Sequence, residues 1–415
     1  MAQPAPVASP ERLESLDVLR GFALLGILVM NIRAMAAPFG AYVYPYALFD
    51  YEGASRAAYI FTSVAFDLKM MGLFSMLFGA GVLLYAGKPT ASGRPPRGLW
   101  FRRMFWLLVI GLVHAYLIWD GDILVPYALC GIIVLWWVRR LPAWALLALS
   151  MVFLTVGAAL NIGHGISWET MSETDRAAEA KFFMPTPEQT QQQLAAMLGS
   201  YPQVVANRAP FVFMAQTLYF LVFFLWRCAG MMMLGMALYK WGFLDGRLTA
   251  GTYRRTAAVC LLFGLSLASY GIVTLESVRF AMPQRTLADT WNYVGAVLAS
   301  VGYAAVLILL IKLDAFAGLR RRLAAVGQMA FSNYLFQSMV ASVLFLGWGL
   351  GLAGRFDYAE QLIVVAAICA FQLAVTPLWL ARYRFGPAEW VWRSLTYWKR
   401  QPMRRGTTPS AAAGV

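Results

Sequence analysis

The chain has 415 residues, of which 60% are hydrophobic, 15% aromatic and only 13% charged. A soluble domain carries about 25% charged residues, so this composition excludes an ordinary soluble enzyme and points to the membrane. The net charge of +14 does not argue for nucleic acid, because the basic residues fall in short clusters between hydrophobic runs, where they set topology.

Apolar runs of about twenty residues recur along the chain, which suits α-helical spans and not the short alternating segments of a β-barrel. The first sixteen residues are Pro- and Ala-rich with no basic segment ahead of an apolar core, so a cleavable signal peptide is not predicted. Residues 1–16 are expected to be a disordered cytoplasmic N-terminus, 17–400 a single transmembrane domain, and 401–415 a disordered cytoplasmic tail.

Ten spans are predicted. The first, 17–36, reads LDVLRGFALLGILVMN at its start, with Asp17 and Arg20 three residues apart at its mouth and Asn31 and Arg33 near its end. The spacing puts Asp17 and Arg20 on one helix face, either as an interfacial pair or as the lining of a site. The second, 58–87, is interrupted by Asp67 and Lys69, which either precede a shorter span or face the bundle interior. Gly72, Ser75, Gly79 and Gly81 in its second half allow close helix approach. The third (99–119) and fourth (122–138) form a tight hairpin through Asp120, Gly121 and Asp122, and the fifth is 142–162. A long polar segment, 163–209, is expected to lie on the periplasmic side as loop with a short surface helix; His164 falls there at a solvent position. The remaining spans are 210–239 with Arg227 near its middle, 253–275, 290–312, 324–350 and 358–380. The last segment, GPAEWVWRSLTYWKR, has an interfacial aromatic and basic pattern.

Every even-numbered span ends in a basic cluster: Lys88 to Arg103, Arg139–Arg140, Lys240 to Arg255, Lys312 to Arg322, and Arg382 to Arg400. Both termini are therefore expected in the cytoplasm.

His114, one of two histidines, lies in LLVIGLVHAYLIWDGD. Lipid offers it no partner, so it faces protein or a cavity. A carboxylate folding back from the hairpin, Asp120 or Asp122, would orient it as a general base; a structural hydrogen bond is the alternative. Arg227 requires a partner at mid-membrane, whether Asp67, Asp120, Asp122 or an anionic substrate group. Ser332, Asn333, Tyr334 and Gln337 form one polar stripe, through interhelical hydrogen bonds or as a cavity wall. The four cysteines lie in apolar runs without CxxC spacing, and no metal ligand set stands out.

The opening LDVLRGFALLGILVMN resembles the first helix of the membrane acyltransferases. In the branch that O-acylates surface glycans a catalytic histidine closes that helix, where this chain has Asn31. Heparan-α-glucosaminide N-acetyltransferase-like proteins also end it in Asn. The chain is most similar to the YeiB family of bacterial inner-membrane proteins, which carries a C-terminal domain of unknown function. That resemblance is carried by RGFALLGIL, LFSMLFGAG at 73–81, IGLVHAYLIWDGDIL and YALCG within 110–131, LGMALYKWGF at 234–243, GQMAFSNYLFQS at 327–338 and GPAEWVWR at 386–393. The distant likeness implies a multi-pass acyltransferase of the inner membrane. Acyl-CoA would be the donor and a small molecule the acceptor, with His114, Asp120 and Asp122 catalytic and Asp17, Arg20, Asn31, Arg227, Asn333 and Gln337 binding. A transporter or exporter of a small polar or lipidic molecule is the alternative, and a homodimer is the assembly kept open.

Overall fold

In lipid every backbone N–H and C=O must be satisfied within its own segment, so long apolar runs become helices. The computed structural model, which describes residues 14–87 and 97–405, is an all-α polytopic membrane helix bundle. Its first half comprises α1 (Glu14–Ala36), α2 (Phe39–Val43), α3 (Gly53–Ala65), α4 (Lys69–Ala86), α5 (Arg97–Val113), α6 (Leu124–Cys130), α7 (Trp136–Val138) and α8 (Ala143–Ser167). Next come α9 (Glu173–Phe183), α10 (Pro187–Met197), α11 (Tyr201–Gln216), α12 (Leu225–Lys240), α13 (Ala250–Ser277) and α14 (Gln284–Lys312). The chain closes with α15 (Ala317–Gln328), α16 (Ala330–Phe345), α17 (Tyr358–Arg382) and α18 (Pro387–Tyr397). Among the described residues eight stretches are long and apolar enough to cross a membrane. The fourth and ninth predicted spans fall on shorter apolar helices, Leu124–Val138 and Ala330–Phe345.

The bundle is built round α1, which packs against α4, α14, α15, α16 and α17. Two-thirds of its apolar window (67%) is buried, against 22% for α17, so α1 is interior and α17 faces lipid. Glycines set the tightest crossings. A Cβ on Gly79 of α4 would lie 1.9 Å from the Met232 carbonyl oxygen, and one on Gly235 of α12 would lie 2.0 Å from that of Met76. Backbones meet there because each helix contributes a glycine to the crossing. Gly81, by contrast, faces open space.

Several predicted boundaries move for physical reasons. The second span breaks at Leu68, which adopts φ +58°, so Asp67 and Lys69 both turn inward and a shorter helix follows them. The ninth divides at Met329 into α15 and α16. The polar segment 163–209 is mostly helix, not loop. Thr186 with Gln189 and Ser200 with Gln203 form capping boxes that start α10 and α11, a signal present in TPEQ and SYPQ. His164 is accordingly in the last turn of α8, with Nε2 2.9 Å from Glu179, and not in a solvent loop.

The basic connections meet at one end of the bundle. Lys240 donates to the Leu141 carbonyl, Lys312 to that of Gly246 and Arg102 to that of Thr396, while Arg320 pairs with Glu14. Gln401–Arg405 pairs there with the end of α17, Arg384 N donating to Met403 O and Arg405 N to Arg382 O. Residues 1–13, 88–96 and 406–415, and the expectations placed on them, lie outside the described residues.

Candidate functional site

The end of α5 opens into a π-helical turn, His114–Ile118, closed by a bond from Trp119 N to His114 O. The chain then reverses at Gly121, where the Trp119 indole lies against the missing side chain. Reversal brings Asp122 back beside the start of the turn. Asp122 Oδ2 accepts from Val125 N at 2.8 Å, capping the first turn of α6. Its Oδ1 stands 2.8 Å from His114 Nδ1. Both side chains are 1% exposed.

An ionised Asp122 fixes the tautomer: Nδ1 carries the proton and donates it, leaving the Nε2 lone pair free. Nε2 is buried and has no hydrogen-bond partner among the described residues. The imidazole sits between the rings of Tyr334 (5.1 Å between centroids) and Trp119 (6.4 Å, edge-on). A buried acceptor left unpaired costs about 1–3 kcal/mol. An oriented, unpaired imidazole nitrogen is what a general base requires.

Of the two expected orienting carboxylates, only Asp122 reaches the imidazole. Asp120 instead lines a cavity of about 300 Å³, together with Trp119 and Arg208. Burial pushes its carboxyl up, against the pull of Arg208.

The other predicted positions lie apart from the dyad. Asp17 and Arg20 do pair, at 2.9 Å, at the start of α1. Asn31 is half-buried in α1 and lines neither cavity described here. Arg227 is fully buried, but its hydrogen bond goes to the Tyr293 carbonyl at 2.8 Å and its guanidinium lies 4.5 Å above the Tyr293 ring. None of Asp67, Asp120 and Asp122 is bonded to it, and its Nε and Nη2 have no hydrogen-bond partner among the described residues. Asn333 and Gln337 form an interhelical ladder: Gln337 donates to the Gln372 side chain at 2.9 Å, and Gln372 donates to the Asn333 carbonyl at 2.9 Å. The polar stripe of α16 thus joins helices and lines neither of the two cavities. Cys130, Cys228, Cys260 and Cys369 are all free.

Three features were not singled out from the sequence. Arg208 faces the larger cavity. Glu389 of α18 accepts from Phe331 N (2.8 Å), Ser332 N (3.1 Å) and the Ser332 hydroxyl, capping α16 from another helix. The third is a charged cluster around a cavity of about 70 Å³ that includes Arg33, Asp67, Arg285, Asp289 and Asn292. In it Lys69 donates to the Ser63 carbonyl at 3.0 Å and to Asn292, which donates to Asp67 at 2.7 Å. The charges themselves are visible in the sequence; their convergence needs the break at Leu68.

Comparison with known proteins places the chain. A family described as "Protein of unknown function (DUF418)" matches residues 238–399. The uncharacterized protein YeiB of Escherichia coli (strain K12) is 31% identical over 392 residues, covering 93% of this chain and 96% of its own length. The uncharacterized protein YxaH of Bacillus subtilis (strain 168) is 30% identical over 425 residues, covering 98% and 100%. With the dyad-bearing hairpin and the C-terminal helices inside these alignments, the chain belongs to the YeiB family.

Proposed function

We propose that this membrane protein is an acyltransferase of the bacterial inner membrane with both termini in the cytoplasm. It would move an acyl group from cytoplasmic acyl-CoA to a hydroxyl or amine of a small acceptor on the periplasmic side. The observation that carries the reading is the Nε2 atom of His114, buried, unpaired and oriented through Nδ1 by Asp122. His114 would take the proton from the acceptor as its oxygen or nitrogen attacks the thioester carbonyl carbon. The C–S bond breaks, and the leaving CoA thiolate takes that proton from the imidazolium. Ester or amide and free CoA are the products. Arg20, paired with Asp17, and the basic connections at that end of the bundle would hold the anionic donor. Arg227, with two unpaired donors, would hold an anionic group deeper in the bundle.

Transport of a small polar or lipidic molecule is the second reading. It is favoured by the broken helix at Leu68, which aims Asp67 and Lys69 inward, as discontinuous helices do in transporters. Turnover of labelled acyl-CoA by the full chain in nanodiscs separates the two. With an acceptor present, His114→Ala should lower transfer by about 10²–10⁴-fold while the protein stays folded and inserted. Retained activity would place the base elsewhere. A wild type that turns over no acyl-CoA but moves solute across vesicles would favour the transporter.

A further inference from the structure

Thirteen buried polar side-chain atoms have no hydrogen-bond partner among the described residues, and four of them belong to residues lining one cavity. They are Trp119 Nε1, Gln193 Oε1, and Nε and Nη1 of Arg208. Buried polar groups are rarely left unsatisfied, and several converging on one space mark it as a place for a polar ligand. Arg208 is 8% exposed and Trp119 7%, so neither is satisfied by simply facing bulk solvent. Two donors of the Arg208 guanidinium, Nε and Nη1, are thus unpaired, and a guanidinium recognises a carboxylate or phosphate through charge-assisted hydrogen bonds.

Asp120, Asn207 and Ser342 are the other polar residues of the wall, and the rest of it is apolar. Phe39, Phe182 and Phe211 form a cluster with centroids 4.7, 5.5 and 6.0 Å apart. The volume of about 300 Å³ is at the lower end of small-molecule pockets, about 300–1,000 Å³. One wall is Trp119, which also packs edge-on against the His114 imidazole. The cavity therefore begins one side chain from the proposed base. The helices of the polar segment, α9 to α11, supply Phe182, Gln193 and Arg208 and cover it.

We infer that this cavity is the acceptor pocket, and that the acceptor is a small amphipathic oxyanion: a carboxylate or phosphate, held by Arg208, joined to an apolar or aromatic body held by the phenylalanines. The word acceptor rests on the acyl-transfer reading; the binding chemistry does not.

The probe is phenyl phosphate, titrated calorimetrically into the full chain in nanodiscs without any acyl donor. Saturable binding is expected at one site per chain, with inorganic phosphate and phenol each weaker by about tenfold or more, since each keeps only half of the contacts. Arg208→Gln should weaken phenyl phosphate by about tenfold or more. Phe211→Ala should weaken phenyl phosphate and leave inorganic phosphate unchanged. If Arg208→Gln does not fold, Phe211→Ala and the ratio of phenyl phosphate to phosphate carry the test. No saturable binding, wild-type binding by a folded Arg208→Gln, or phosphate binding as tightly as phenyl phosphate would each overturn the inference. Binding without acyl transfer would sink the acyltransferase reading alone; His114-dependent acyl transfer without binding would sink the pocket alone.

Discussion

At the scale of single residues, the two hairpin aspartates make opposite predictions. Asp122 holds the proton on Nδ1 of His114, so Asp122→Asn keeps the shape but lets an amide N–H face the imidazole, stabilising the tautomer with its proton on Nε2. The loss of rate should approach that of His114→Ala. Asp120 has no bond to the imidazole and faces the cavity, so Asp120→Asn should act on the KM of the acceptor and much less on kcat. Equal kcat losses in both variants, measured by acyl transfer in nanodiscs, would contradict the assignment of Asp122 as the orienting group. The Asp17–Arg20 pair is at a partly exposed helix mouth, with side chains 13% and 27% exposed. Pairs of that kind contribute about 0–1 kcal/mol. Arg20→Ala should therefore leave thermal stability nearly unchanged while raising the KM for acyl-CoA; unfolding of the variant would mark the pair as structural.

At the scale of elements, the closest crossing and the cross-helix cap decide how the bundle is held. A side chain at Gly79 would collide with the Met232 backbone, which cannot retreat as a flexible side chain could. Gly79→Leu should prevent assembly of a monodisperse protein in detergent, whereas Gly81→Leu, in open space, should behave as wild type. Glu389→Ala removes the acceptor for two backbone donors of α16, and loss of an N-terminal cap costs about 0.5–2 kcal/mol. A lowered unfolding temperature in detergent is expected, and no change would show that water replaces the carboxylate. These cases also show what is legible in the sequence. Hydropathy locates the spans and small residues mark the crossing, because both are local properties. TPEQ and SYPQ carry readable capping boxes inside a segment otherwise read as loop. Which of Asp120 and Asp122 meets His114 is not local: on a continuous helix neither would reach it, and the choice depends on the π-helical turn and the reversal at Gly121. The position of Glu389 over α16 likewise arises from packing between helices far apart in the chain.

At the scale of the whole molecule, orientation follows from charge placement. Basic clusters follow the even-numbered spans, and the structure gathers them at one end: Arg102 with α18, Lys240 with the turn before α8, Lys312 with Gly246, and Arg320 with Glu14 at the start of α1. The opposite end holds the His114–Asp122 dyad, its cavity and helices α9 to α11, where Tyr201 of α11 donates to the Leu117 carbonyl at 3.0 Å. A negative inner surface and the positive-inside rule would put the basic end in the cytoplasm. The donor would then approach from the α1 mouth and the acceptor from the opposite side, which is the geometry that transfer across a membrane needs. Reporter fusions after residues 90 and 185 check this directly. The first lies in the basic connection after α4 and should report the cytoplasm. The second lies between α9 and α10, beside the acceptor cavity, and should report the periplasm. Signals from the same side would remove the cross-membrane route, and inverted signals would place the cavity, and with it the acceptor, inside the cell.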